Sequence, residues 1–400
     1  MSTQTARLPV ARPLLLIAGL LLIACTLRAP VTGVAPVLDM IQSAYGLTRA
    51  QAGLLTTLPL VAFGVISPFA ASIARAYGLE RTLFGALVLV IAGMAIRSVA
   101  PLWGLFAGTC VIGSGIAIAN VLLPSLVKRD FPHKVPTVTG LSALMMGAIA
   151  AGASATAVPL AEAYGWRAAL GALAVLPLAA IVAWSAQLGA HTAPARSTAA
   201  MPHGGRVWHS PIAWQVTLYM GINSLLYYVL VGWLPAILID HGYTAAQAGS
   251  LHGLMQLACA LPGLVLGSIV SRMKNQAAIS AAMGVAIGVS LVGFLYAPGL
   301  ATVWAVLFGA GSGSAIILSL MFMSLRVANA HQAAALSGMA QGVGYLLAAC
   351  GPILAGMAHD VAGNWHTVMA GGIVLSAVMA VFGALAGRAR QMAAHGGPSR

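Results

Sequence analysis

Long apolar runs, separated by short polar stretches, occupy most of the chain. A helix needs about 20 mostly apolar residues to cross about 30 Å of hydrocarbon. Twelve runs are long enough, so the pattern predicts an all-α integral membrane protein with twelve transmembrane helices. The predicted spans begin near Pro13, Ala50, Thr82, Leu102, Val135, Trp166, Pro211, Ala245, Ala277, Ala301, Gln332 and Trp365.

One polar interval, residues 189–210, is much longer than the others and divides the chain almost equally. Its proline, glycine, arginine and histidine content is typical of a linker. We therefore predict a six-helix half at 1–188, a cytoplasmic linker at 189–210, a second six-helix half at 211–387 and a cytoplasmic tail at 388–400.

The two halves repeat each other in sequence. The octapeptide GLTRAQAG at Gly46–Gly53 recurs as GYTAAQAG at Gly242–Gly249, with six identities, and each copy opens an apolar run after an outer loop. Repeats of this spacing indicate two structurally related units. Parallel six-helix repeats build transporters whose binding site lies at the midplane between the halves and is exposed to each side in turn.

Composition supports a membrane protein and excludes a soluble one. The chain is 60% hydrophobic and 6% charged, with a mean hydropathy of +0.95. A net charge of +13 would favour nucleic-acid binding in a soluble chain, but here the basic residues lie between the apolar runs, so no nucleic-acid partner is expected. The expected partners are the lipid bilayer and a small-molecule substrate, and we expect a monomer.

The basic residues also predict the orientation of the chain. Fifteen of the 19 Lys and Arg residues fall on one side of the predicted spans, whereas Arg49, Arg97 and Arg167 fall on the other. Cytoplasmic loops carry the excess of positive charge. The sequence therefore predicts a multi-pass protein of the bacterial inner membrane with both termini in the cytoplasm.

The loops after spans two and eight resemble the signature loop of the major facilitator superfamily, roughly GxLADRxGRR. The resemblance is degenerate because Arg75 and Ser271 stand where the signature has an acidic residue or its counterpart. The residues that fit, and that the resemblance implies as gating-loop residues, are Gly78, Arg81, Gly267 and Arg272.

Two further stretches resemble one particular family within this superfamily. LRAPVTGVAPVL at Leu27–Leu38 and GSGIAIANVLLPSLVKRDF at Gly113–Phe131 resemble the cyanate permease and 2-nitroimidazole transporter family. The resemblance implies the major facilitator fold and secondary active transport of a small anion or compact polar solute by alternating access. It also implies that spans 1, 4, 7 and 10 line the substrate cavity.

Arg28 is the main candidate for substrate binding. It lies about 15 residues into the first span, where a charged side chain costs about 2.5–3.5 kcal/mol, so it should face a wet cavity or a partner. A guanidinium suits two-point recognition of an anion or a planar polar group. The alternative is an arginine that hydrogen-bonds helix carbonyls near Pro30 and Pro36, or that extends outward to the interface.

The fourth and seventh spans supply further candidates. Asn120 would either contact substrate or bridge neighbouring helices. In span seven, Pro235 matches Pro36 of span one, which places Tyr227 opposite Arg28. Aromatic rings beside a cation suit a small polar ligand. The same interpretation includes Tyr228 and Trp233, although Trp233 is also typical of the interfacial aromatic belt.

His252 and Gln256 share a face of span eight at i, i+4, and Gln341 lies in span eleven. Each is a candidate substrate contact, and each could equally be a hydrogen-bonded packing residue. None of the six carboxylates lies in the middle of a span. If protons drive transport, they are therefore expected to travel on the substrate, on His252 or through a carboxylate at the outer mouth.

Two other functions remain open alternatives. A drug or metabolite efflux pump of the same fold would use Met, Tyr and Trp in an adaptable pocket. A membrane enzyme or sensor would need a catalytic cluster within the spans or an added domain, and neither is visible. The glycine-rich stretches lack a following Lys-Ser or Lys-Thr pair, and the four cysteines have no metal-ligand spacing, so we expect no cofactor and no metal.

Overall fold

The computed structural model describes residues 13–99, 101–131, 134–188, 207–270, 272–327 and 330–391, so most of the predicted linker and the end of the tail lie outside the described residues. The described chain is helical throughout, apart from turns and caps. Its helices are α1 Pro13–Thr26, α2 Ala29–Thr32, α3 Leu38–Tyr45, α4 Arg49–Tyr77, α5 Leu79–Val99, α6 Leu102–Asp130, α7 Val135–Tyr164, α8 Trp166–Ala172, α9 Val175–Ser185, α10 Pro211–Asp240, α11 Ala245–Ala260, α12 Leu266–Val270, α13 Ala277–Tyr296, α14 Ala301–Leu325, α15 Ala330–Ala362 and α16 His366–Ala386.

Eleven stretches of the described residues are long and apolar enough to cross a membrane. The remaining predicted span, the eighth, is interrupted: α11 gives way to a 3-10 turn at Leu261–Leu264 before α12. Pro262 and Gly263 lie in this turn, and proline removes a helix hydrogen bond. With α11 and α12 in the eighth position, the twelve predicted spans are accounted for, and the all-α membrane fold is confirmed.

The repeated octapeptide forms the same helix start in each half. Thr48 accepts a hydrogen bond from the backbone N–H of Gln51 and donates its own N–H to the Gln51 side chain, and Thr244 and Gln247 form an identical capping box. The preceding Gly46 adopts φ 65°, a conformation that glycine adopts without strain. The sequence repeat is therefore the start signal for α4 and for α11.

The two halves meet along two seams, one between α4 and α15 and one between α7 and α11. We call the end where α4 and α11 begin the outer end, and the end where α1 begins the inner end. Near the outer end the backbones touch: a Cβ on Gly53 would lie 2.7 Å from the carbonyl oxygen of Pro352, and one on Gly253 would lie 2.6 Å from that of Ala151. The outer end is closed in this conformation.

The first span is also interrupted, and this interruption corrects one prediction. Arg97 was expected in an outer loop, but it lies inside α5 and only 1% of it is exposed. Its Nη1 donates to the carbonyl oxygen of Pro30 at 2.7 Å. That carbonyl is free because the N–H of Val34 bonds to Val31 instead, so Arg97 replaces the missing helix hydrogen bond.

The two signature loops differ from each other. Gly78 ends α4 with φ 90°, whereas Gly267 lies inside α12 without a positive φ. Arg81 and Arg272 are both exposed at the inner end. Their role in gating stays a prediction. Beside the first loop, the buried Glu80 accepts from Arg129 at 2.6 Å, which joins α5 to α6.

Arg326 holds the inner ends of three spans together. It is 5% exposed, and it donates to the carbonyl oxygens of Ala386 and Gly387 and to the side chain of Gln276. We expect Arg326→Ala to lower stability by roughly 3 kcal/mol because several buried acceptors lose a charged donor. Thermal unfolding followed by tryptophan fluorescence would show a Tm several degrees below that of the exposed control Arg388→Ala. Equal Tm values would show that the three spans do not depend on this contact.

Candidate functional site

A cavity of about 730 Å³ lies between the two halves. It extends from the level of Arg28 toward the inner ends of the helices, where Ser67, Pro124 and Ser337 line it. Since the seams are closed at the outer end, this conformation presents the cavity on the inner side. Spans 1, 2, 4, 5, 7, 10 and 11 contribute to its wall, which agrees with the expectation for spans 1, 4, 7 and 10.

Arg28 stands at the interruption of the first span, between the end of α1 and the start of α2. Pro30 follows in the first turn of α2 and has no N–H to bond to the carbonyl of Thr26, so the helix of α1 does not continue into α2. The side chain is half-buried and lines the cavity. Within the described chain no carboxylate pairs with it. Its positive charge is therefore available to a solute in the cavity.

Tyrosine rings surround the guanidinium. The Cζ atom of Arg28 lies 5.3 Å from the ring centroid of Tyr227, which is a cation–π contact. Tyr228 packs edge-on against Tyr227 with centroids 5.2 Å apart, and Tyr345 packs edge-on against Phe63 across the seam at 6.3 Å. The predicted proximity of Tyr227 and Arg28 is present in the structure. The wall beside the cation is flat and aromatic.

Two amide side chains complete the polar lining. Asn120 is exposed to the cavity from α6, and Gln341 lines it from α15 with its Nε2 donating to the hydroxyl of Ser337 at 2.7 Å. Among the predicted residues, the structure therefore brings Arg28, Asn120, Tyr227, Tyr228 and Gln341 to one cavity. Their role in binding substrate stays a prediction.

The other three candidates do not line this cavity, and each is fully buried. Trp233 donates its Nε1 to the carbonyl of Pro352 and packs on Trp365, so it belongs to the α4–α15 seam rather than to an interfacial belt. His252 and Gln256 lie behind Tyr227, whose hydroxyl donates to Gln256 at 2.5 Å. They contact the site through Tyr227.

Sequence reasoning missed Tyr345 and Phe63, which complete the aromatic wall. The signal for Tyr345 was available, since it is the one tyrosine between residues 330 and 362. Phe63 carried no comparable signal because one phenylalanine in an apolar helix is an ordinary packing residue.

A contact between the halves closes the outer end, and we call it the outer latch. The two carboxylate oxygens of Asp360 accept from the backbone N–H groups of Arg49 and Ala50 at 3.2 and 3.0 Å. Asp360 lies in the last turn of α15, in the C-terminal half, whereas Arg49 and Ala50 are the first residues of α4, in the N-terminal half. A carboxylate on free N–H groups at a helix N-terminus is favourable both as a charge-assisted hydrogen bond and through the helix dipole.

The model of the Major Facilitator Superfamily matches residues 20–349. The chain belongs to the major facilitator superfamily. Its structure is also similar to two solved transporters of low sequence identity. One is a bacterial homolog of the human lysosomal transporter Spinster in an inward-facing and unoccupied conformation, with a TM-score of 0.75, 14% identity, and 93% and 96% of the two chains covered. The other is a D-xylose-proton symporter, with a TM-score of 0.72, 13% identity and 92% and 96% coverage.

The curated relatives of this superfamily member are transporters. It is 55% identical over 380 residues to the 2-nitroimidazole transporter of Escherichia coli (strain K12), covering 95% of this chain and 97% of that protein. It is 30% identical over 349 residues to the cyanate transport protein CynX of the same strain, covering 86% and 90%. The resemblance stated from the sequence is confirmed. This superfamily member is a multi-pass membrane transporter of a small molecule, and not an enzyme.

Proposed function

We propose that this transporter carries a compact, planar, polar solute of the nitroimidazole kind, bound between Arg28 and the tyrosine wall. One observation carries the proposal: a guanidinium that pairs with no carboxylate of the described chain lines a cavity and lies 5.3 Å from the ring of Tyr227. The relative that transports 2-nitroimidazole supports it, because 55% identity extends over nearly the full chain.

The residues that line the cavity fit both the polar group and the flat ring of such a solute. The two oxygens of a nitro or carboxylate group match the fork of N–H groups on a guanidinium. A flat ring can stack on or meet the edges of Tyr227, Tyr228 and Tyr345, and such aromatic contacts contribute about 0.5–1.5 kcal/mol each. Asn120 and Gln341 supply donors and acceptors for ring nitrogens.

The second candidate substrate is cyanate, because of the 30% identical cyanate transport protein. A three-atom anion would use Arg28 but would leave most of a cavity of about 730 Å³ to water. Efflux of larger drug-like compounds is the further alternative of the same fold. The positive charge of Arg28 disfavours the cationic compounds among them.

We further propose that the carrier works as a monomer in the bacterial inner membrane with both termini in the cytoplasm. The excess of basic residues on the inner side supports this orientation. In that orientation the structure is the inward-facing conformation. Proton coupling belongs to the same proposal, and the similarity to a proton symporter supports it only at the level of the fold.

Transport by the purified protein in proteoliposomes tests the substrate. We expect saturable uptake of labelled 2-nitroimidazole that is competed by nitrobenzoate-like planar anions and not by imidazole, because imidazole lacks the group that meets Arg28. Cyanate is included as a separate labelled substrate. Uptake no greater than in empty liposomes, or competition by imidazole equal to that by nitro compounds, would contradict the proposal.

A further inference from the structure

A chain of hydrogen bonds runs from the cavity wall to the α7–α11 seam. The hydroxyl of Tyr227 donates to Gln256 Oε1 at 2.5 Å, and Gln256 Nε2 lies 3.4 Å from His252 Nε2. His252 Nδ1 lies 3.0 Å from the hydroxyl oxygen of Ser154, which in turn donates to the carbonyl of Thr32 at 3.4 Å. The chain joins side chains of both halves.

The hydrogen-bonding partners indicate which atom donates and which accepts at each step of this hydrogen-bond chain. The hydroxyl of Ser154 donates to a carbonyl, so its oxygen can accept from His252, which favours a proton on Nδ1. Gln256 Oε1 accepts from Tyr227, so its NH₂ group faces His252 Nε2, which favours Nε2 as the unprotonated nitrogen. The contacts with Ser154 and Gln256 match the neutral Nδ1–H tautomer of His252. A second proton on Nε2 would point at an NH₂ donor.

His252 is sealed in the seam. None of its surface is exposed, and the helices around it are in backbone contact: a Cβ on Gly249 would lie 2.8 Å from the carbonyl oxygen of Ser154, and one on Gly253 would lie 2.6 Å from that of Ala151. A water molecule has no room to enter between these backbones. His252 therefore exchanges protons with the outside only when the seam opens.

Among the described residues, no carboxylate pairs with His252 to stabilise an added charge in the closed seam. The carbonyl of Val231 hydrogen-bonds to the ring and can accept from a proton-bearing ring nitrogen, but it carries no charge to balance an imidazolium. Helix α14 has no titratable residue, and α7 has Glu162 and Tyr164 only at its outer end, more than two turns beyond Ser154. The titratable and charged groups on the remaining neighbours are Tyr219, Tyr227, Tyr228 and Asp240 on α10, Cys25, Arg28, Asp39 and Tyr45 in the first span, and Cys259 on α11. The nearest charge in the chain of contacts is the positive Arg28.

We propose that His252 is a proton-binding site that is occupied only while the outer end is open. Alternating access in this superfamily member requires the two halves to separate at the outer end, and that motion parts His252 from Ser154 and exposes the imidazole. Closure then requires neutral His252, because the sealed site excludes water and offers no counter-charge for a charged imidazole. Proton binding and closure of the α7–α11 seam exclude each other.

This proton binding predicts in which direction pH changes the ratio of outward-open to closed molecules. An exposed histidine takes up a proton between about pH 5 and pH 8. Since only the open state binds this proton, the ratio of outward-open to closed molecules rises as the pH falls, by up to about tenfold for each pH unit once the exposed imidazole is mostly protonated. Above that range the ratio is independent of pH. The inference does not depend on the identity of the substrate.

Distance measurements by pulsed electron spin resonance test the proposal on the full chain in liposomes. Spin labels are placed at Tyr164→Cys and Ser250→Cys, two exposed positions on either side of the seam, after the native cysteines are replaced by serine. We expect the population with the longer distance to grow on lowering the pH from 8 to 5. We expect the His252→Gln variant to show the same distance distribution at every pH, because glutamine can donate and accept as neutral histidine does but does not titrate in this range.

The matched control is His359→Gln, at the outer end, where His359 lies 3.7 Å from Asp240 and stacks on Trp365. This variant should keep the full pH response. A response that disappears in His359→Gln and persists in His252→Gln would overturn the proposal, as would a wild-type distribution that does not change with pH.

A second measurement covers the case in which His252→Gln does not fold. Nitrogen-15 spectra of the wild-type protein labelled on histidine should show a buried neutral Nδ1–H imidazole at pH 8 that becomes protonated over the pH range in which the distance changes. A buried histidine that is already charged at pH 8, or one that stays neutral while the distance changes, would contradict the inference.

Discussion

Uptake of 2-nitroimidazole should fall at least about 100-fold in kcat/KM when Arg28 is replaced by alanine. The variant loses a charged, two-point donor at the solute, an interaction worth about 3 kcal/mol in a partly buried site. Arg28→Lys keeps the charge but not the planar fork, so we expect it to recover only part of the activity. Initial rates of uptake into proteoliposomes measure both variants.

Arg167 offers a matched control because it also lies over a tyrosine. Its Cζ atom is 5.9 Å from the ring centroid of Tyr45, but it is exposed at the outer end and outside the cavity. Arg167→Ala should transport at close to the wild-type rate. Wild-type uptake by Arg28→Ala, with the protein shown to be folded by its fluorescence and elution profile, would remove Arg28 from the site.

Replacing Asp360 with asparagine should shift the carrier toward the outward-open conformation by about tenfold. The outer latch loses its negative charge at the start of α4, and the NH₂ group of asparagine faces backbone N–H donors where a carboxylate oxygen accepted. A loss of about 1–2 kcal/mol is expected for such a contact. The labelling rate of Thr56→Cys, a position buried beside Gly232, by a membrane-impermeant maleimide applied from the outside reports the shift.

Glu162→Gln is the control for the latch. Glu162 is an exposed residue near the outer end of α7. Helix α7 packs on α11 in the same way that α15 packs on α4. The substitution of Glu162 removes one carboxylate from the same face without touching α4, so the labelling rate should not change. Equal acceleration in both variants would mean that net charge, rather than the cap on α4, sets the equilibrium.

The spans and the repeat could be predicted because they depend on local sequence. Hydrophobic length sets the spans, and the Thr-x-x-Gln start signals set the beginnings of α4 and α11 within one residue of the predicted positions. The proximity of Arg28 and Tyr227 followed from matching Pro36 to Pro235, since pseudosymmetric helices present equivalent positions to the same midplane.

The contacts between distant segments could not be predicted in this way. Arg97 looked like an outer-loop residue, and only the interruption of the first span provides the carbonyl of Pro30 that it binds. The latch joins residues 310 positions apart, and no local pattern marks such a pair. His252 and Gln256 were correctly placed on one helix face, but that face meets Ser154 and Tyr227 rather than the cavity.

The outer latch also makes the two seams unequal. Both α4 and α11 begin with the same capping box, but among the described residues only α4 also receives a carboxylate from the opposite half. The two halves therefore share the start signal of these helices but differ in the contacts made there with the opposite half. Opening of the outer end therefore has to break a charged cap at the α4–α15 seam, whereas at the α7–α11 seam it has to break the hydrogen bond between His252 and Ser154.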